Sequence, residues 1–265
     1  MSNSSTSSAT IVAVAVLENG RFCEGQGRAL IFDAQIYLGD DCPPLLAALK
    51  YFNADNQAFN PVGFYIVIAR VAKMEPSANI SLDDRNRESY FDLVGDVVRL
   101  IPIAKDGVSP LYTPYIKICS TIEHVDDLAN TFSIDAHQYV SSLRTNSTGA
   151  SSTSQRPFKS ILPVECGFPN MARWTKSGKK LTPQPHRYIS VTGFITGRKV
   201  KTVEGSEPET DRFTVEVDSI VFLGRPVVTK LSGSISAITE IRSFYKWNTE
   251  QTWVEIRLLS SPPAC

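Results

Sequence analysis

The sequence predicts a mainly β protein made of two β-rich, barrel-like domains, and three observations carry that expectation. Apolar runs are short and rich in Val, Ile, Phe and Tyr, the residues that fit a pleated, half-buried surface. The two longest alternations, over 187–197 and 212–224, have the period of two of a sheet with one packed and one wetter face. Between the early and late strands lies SSLRTNSTGASSTSQ (141–155), small and polar like a linker. The expected plan is a disordered arm over 1–9, a β-rich domain over 10–143, a Ser/Thr-rich linker over 144–156 and a second domain over 157–265.

Residues 1–9 are nearly all Ser, Thr and Asn, too polar to bury. Strands are predicted at 11–17, 28–38, 63–74, 90–103, 115–123 and 131–140. A helix is predicted over 43–53, because Pro43 and Pro44 suit a first turn and Leu45, Leu46, Leu49 and Phe52 recur at helical spacing. After the linker, 158–164 reads as a strand, and Pro163, Pro169, Pro183 and Pro185 keep the next stretch irregular. In the strand at 187–197, Ile189, Val191 and Ile195 alternate with Tyr188, Phe194 and small polar residues. Tyr188 and Phe194 therefore share the wetter face, and Gly193 suits a bulge. Past Gly233, Ile238, Ile241, Phe244 and Tyr245 suggest a short helix, and 252–259 a terminal strand. Two strand pairs echo each other, 115–123 with FSIDAHQYV and 188–197 with FTVEVDSIV, which is compatible with a duplicated unit.

The chain has 265 residues, 42% of them apolar, enough for a substantial core. Its N-terminal apolar run, 11–17, falls short of the ~20 residues that a membrane helix requires. No cationic n-region precedes it, so no signal peptide is expected. Five scattered cysteines form no CxxC pair, which points to a reducing nuclear or cytoplasmic setting. The three sequons, at Asn3, Asn79 and Asn146, carry little weight without a secretory signal.

Charge is segregated. The chain holds 27 basic and 27 acidic residues, yet 156–201 contains ten basic residues against one acid, Glu165. A local positive field in a neutral protein is the footprint of a polyanionic partner. Trp174 and Tyr188 lie inside the block, and aromatic faces among cations suit single-stranded nucleic acid: bases stack while Lys and Arg track phosphates. A solvated basic loop with Trp174 folded onto the core is the competing reading. The candidate contacts are Arg173, Trp174, Lys176, Lys179, Lys180, His186, Arg187, Tyr188, Phe194, Arg198 and Lys199.

RYISVTGFITG, an acidic connector and RFTVEVDSIVFLG together resemble the central strand pair of an OB-fold, and are similar to uncharacterised fungal proteins with a comparable strand–loop–strand signature. The resemblance covers about residues 156–225. It implies a small Greek-key barrel whose second and third strands, with adjoining loops, bind oligonucleotides or oligosaccharides. Carried onto this chain, that points to Tyr188, Phe194 and the basic loop. The expected function is non-enzymatic single-stranded nucleic-acid binding, DNA favoured over RNA; the alternative is a protein-interaction module.

No P-loop, GxGxxG, HExxH or GxSxG occurs. His124, Asp126, Asp127 and His137 fit exposed loop and strand positions as well as they fit ligands, so no metal and no cofactor is assigned. Besides nucleic acid, the partner expected is another copy or another protein at the C-terminal cluster Phe244, Tyr245, Trp247 and Trp253. No membrane partner is expected.

Overall fold

A computed structural model describes residues 7–23, 27–40, 42–75, 91–104, 109–143, 160–176, 179–180, 183–202 and 208–224. The expected linker and C-terminal helix, strand and aromatic cluster lie outside the described residues. The protein is mainly β. Its strands are β1 (Ser8–Phe22), β2 (Ala29–Ile36), β3 (Leu45–Phe52), β4 (Val62–Lys73), β5 (Leu93–Ile103), β6 (Tyr115–Asp126), β7 (Thr131–Gln138), β8 (Ser160–Gly167), β9 (Thr175–Lys176), β10 (Lys179–Lys180), β11 (Tyr188–Lys201) and β12 (Glu209–Gly224). All but β9 and β10 join one ten-stranded sheet.

Within that sheet the pairings turn back on themselves twice, giving two barrel-like rings. In the first, β1 pairs with β2, β2 with β3, β3 with β5, β5 with β4, and β4 with β1. In the second, β6, β7, β8, β12 and β11 follow the same order back to β6. Each ring has one parallel pair, β3 with β5 and β8 with β12. The rings join where residues 8–12 of β1 pair with residues 115–119 of β6.

Cross-strand partners point to one side of a sheet. Ile11 opposes Ile116 and Ala9 opposes Ile118, all fully buried, so both rings face inward on the same side. One hydrophobic core therefore runs through both, from Leu17, Phe32 and Leu49 to Ile134, Phe132 and Phe213. A second cluster covers the outer face of β2, β3 and β5. There Ala29, Ile31, Ala48 and Val94 meet Val140 and Leu143 of a 3-10 turn at Ser141–Leu143. Asp96 anchors that turn, accepting from the Ser141 amide at 2.7 Å and from its hydroxyl at 2.5 Å.

Three expectations change. Residues 45–52 form β3, not a helix. The strand is hydrogen-bonded on both edges and packed on both faces, with Leu45, Ala47 and Leu49 inward and Ala48 outward. A strand buried on both faces reads as an unbroken apolar run, which imitates helical spacing. The stretch 144–156 does not divide the sheet, because β7 and β8 on either side of it pair through eight positions, Thr131 opposite Gly167 to Gln138 opposite Ser160. Ser8 and Ala9, expected in the arm, belong to β1, and Ala9 is fully buried. The unit that recurs is the five-strand ring. The echoing strand pairs are instead the first two and last two strands of the second ring.

Gly193 sits at a register shift of β11, as its placement in the alternation predicts. A Cβ there would lie 2.1 Å from the Glu216 carbonyl oxygen, a backbone atom that cannot step aside. Gly193→Ala is expected to cost about 2–3 kcal/mol in denaturant unfolding. Unchanged stability would mean that β11 and β12 separate at no cost.

Candidate nucleic-acid interface

The basic block takes in β8 and β11, the third and fourth strands of the second ring, and the loop that connects them. The loop opens with Phe168, continues through a 3-10 turn at Ala172–Trp174 and crosses the β9–β10 hairpin, where Lys179 opposes Lys176 and Lys180 opposes Thr175. It closes on His186, whose φ of 60° puts it in the left-handed region. The His186 amide donates to the Ile122 carbonyl at 2.9 Å, and the Arg187 carbonyl accepts from the Ile122 amide at 3.0 Å. The loop is thereby tied to β6 at its far end.

A chain of tilted ring contacts fixes its near end. Phe132 is buried in the core, with its ring centroid 5.5 Å from that of Phe168; Phe168 lies 4.9 Å from Trp174. The Arg173 guanidinium sits 4.9 Å above the Trp174 ring centroid and reaches Asp218 Oδ1 on β12 at 3.1 Å. Trp174 and Tyr188 are half-buried, more open than Phe32 at 2%. The Trp174 Nε1 is buried with no hydrogen-bond partner among the described residues. A desolvated donor of that kind is a cost the ring contacts have to offset.

Position separates the eleven candidates. Arg173, Trp174, Lys176, Lys179, Lys180, His186, Arg187 and Tyr188 belong to the loop or its junction with β11. Phe194 lies six residues along β11, roughly 20 Å away at ~3.3 Å per residue. It is 40% exposed and makes an edge contact with Tyr115, centroids 5.3 Å apart. Tyr188 and Phe194 do share a face of β11, but that strand is fourth in its ring, not second or third.

Arg198 and Lys199 occupy the opposite end of β11 and are engaged within the protein. Arg198 pairs with Asp92, and Lys199 Nζ lies 2.7 Å from Glu165 Oε1. The outer surface of β7, β8 and β12 holds a further pair, Arg212 with Asp135 at 2.9 Å. The block's single acid, Glu165, thus neutralises one of its ten cations. Asp92 escaped sequence reasoning because nothing in an isolated pre-strand aspartate foretells its partners.

Thiol chemistry is weak at the buried positions. Cys166 is fully buried and desolvation pushes its thiol far up, with the Glu165 charge adding to the effect. Burial also raises Cys23, against the opposing fields of Lys50 and Arg21. Such thiols behave as small hydrophobes rather than nucleophiles. Among the described residues no group of three His, Cys, Asp or Glu side chains is arranged to hold a metal ion, and no helix is long and apolar enough to cross a membrane. No protein-family model matches the chain, and no curated protein is significantly similar to it.

Proposed function

We propose that this is a non-enzymatic single-stranded nucleic-acid-binding protein of two OB-like rings, acting in the nucleus or cytoplasm, with DNA favoured over RNA. The ring order, first-second-third-fifth-fourth with one parallel pair between third and fifth, is OB-fold connectivity and supports that resemblance. One observation carries the binding reading: a half-buried tryptophan, in contact with Arg173 and Phe168, stands in the loop that also carries Lys176, Lys179 and Lys180. Stacking platform and phosphate-tracking charge then occur together.

The binding surface is the loop rather than the sheet face that OB-folds use most. In the first ring Val140 and Leu143 cover that face, and in the second it carries the ion pairs of Glu165 with Lys199 and Asp135 with Arg212. The alternative, a protein-assembly module, draws support from the pairing of Arg173, Arg198 and Lys199 with the protein's own acids.

Variants of the loop distinguish the two. Exchanging Lys176, Lys179 and Lys180 for Gln is expected to weaken binding to every oligonucleotide sequence and to reduce the salt slope by about 0.7 per lost phosphate contact. Trp174→Ala is expected to cost about 1–3 kcal/mol of affinity with the slope nearly unchanged. Affinities equal to wild type in both variants would leave the assembly module standing.

A further inference from the structure

The outer face of β5, β4 and β1 is largely apolar, with Arg99 opposite Ile68 on β5, and Tyr115 of β6 and Phe194 of β11 extend it at one corner. Ile66 lies between Val14 and Ile101, Val12 beside Ile68, and Phe64 one row further along. Val12 and Ile101 are exposed at 39% and 38%, and the others are half-buried. β1 reads ATIVAVAVL over 9–17 and β4 reads GFYIVIARVA over 63–72. Such continuous apolar runs belong to strands covered on both faces, yet here only the inner face is covered among the described residues.

We propose that this wall is the interface of a homodimer, a second copy packing face to face across a two-fold axis. Size supports that occupant. Three strands at ~4.8 Å by five side-chain rows at ~6.7 Å, with the two rows that continue onto β6 and β11, give on the order of 500 Å² of projected face per copy, so two copies reach the ~1,000 Å² total expected of a specific interface. The pattern is also self-complementary. Along the strands the row of Ile66 is central, with the rows of Phe64 and Ile68 on either side of it. Two rows out, Arg70 and Lys117 flank Thr10 at one border, where Asp96 of β5 stands on the far side of Arg70, and Glu18 pairs with Val62 at the other. A two-fold through the Ile66 row, perpendicular to the strands, sets each copy's basic border over its partner's Glu18. Because both rings face inward on one side, the wall runs across their junction instead of ending at one convex barrel. The sequence placed self-association in the C-terminal region; this surface is a different one and does not depend on the basic loop.

Sedimentation equilibrium of the full, nuclease-treated chain from about 1 to about 100 μM tests it. Wild type is expected to form a dimer in that range. Val12→Glu combined with Ile101→Glu should raise the dimer Kd at least about 100-fold while leaving Tm unchanged, since both positions are exposed. Glu18→Lys should weaken the dimer a few-fold, and adding Lys117→Glu should restore it, which keeps the test decisive if the first variant misfolds. A wild type that stays monomeric at the highest concentration, a glutamate variant that dimerises like wild type, or a charge exchange without recovery would each overturn the proposal.

Discussion

Replacing Phe132 by alanine is expected to remove about 3–5 kcal/mol of stability and to loosen the basic loop with it. Phe132 is 1% exposed, in a core shared by both rings, so truncation leaves a cavity that a two-sided sheet closes poorly. The same ring backs Phe168, which in turn backs Trp174. The chain has three tryptophans, so fluorescence should be read with Trp247 and Trp253 changed to Phe. In that background Phe132→Ala should shift the Trp174 emission to the red in native buffer, and Phe132→Leu should shift it less. A loss under about 1 kcal/mol, or an unmoved emission band, would mean that loop and core are uncoupled.

The second large effect is expected at Asp92, just ahead of β5. Its Oδ2 accepts from Arg198 of β11 and from the Leu46 amide of β3 at 3.0 Å; its Oδ1 accepts from Thr210 of β12 at 2.8 Å. One carboxylate thus ties the third strand of the first ring to the last two strands of the second. Its side chain is 11% exposed, against 22% for Arg198. Asp92→Ala strands an arginine, an amide and a hydroxyl in a poorly hydrated place, and should cost about 3 kcal/mol. Asp92→Asn keeps the shape and should cost about half as much. A double-mutant cycle with Arg198→Gln isolates the charge pair. Because the pair is partly buried, its coupling should survive added salt. A coupling that vanishes at high salt would mark it as a surface pair without structural weight.

The mainly β class was legible because alternation is local. Ile189, Val191 and Ile195 declare the inward face of β11 by spacing alone, and Phe213, Val215 and Val217 do the same for β12. Ring closure was not legible, since it depends on pairings between strands far apart in the chain, such as β3 with β5. β3 was misread for a related reason. Ala48 is apolar because Val140 and Leu143 cover it from outside, a contact no window around residue 48 reveals. Of the candidate site, the loop was visible as a run of charge and its aromatics as residue types. The engagement of Arg198 and Lys199 was not, because Asp92 and Glu165 become their neighbours only after folding.

Titration of a fluorescent single-stranded oligonucleotide at several salt concentrations tests the central claim most directly. If the loop tracks phosphates while Trp174 stacks a base, log affinity should fall linearly with log salt. The slope should be about −2 to −3, as three or four phosphate contacts give on a single strand. Absence of binding at low salt, or binding with no salt dependence, would contradict the nucleic-acid reading.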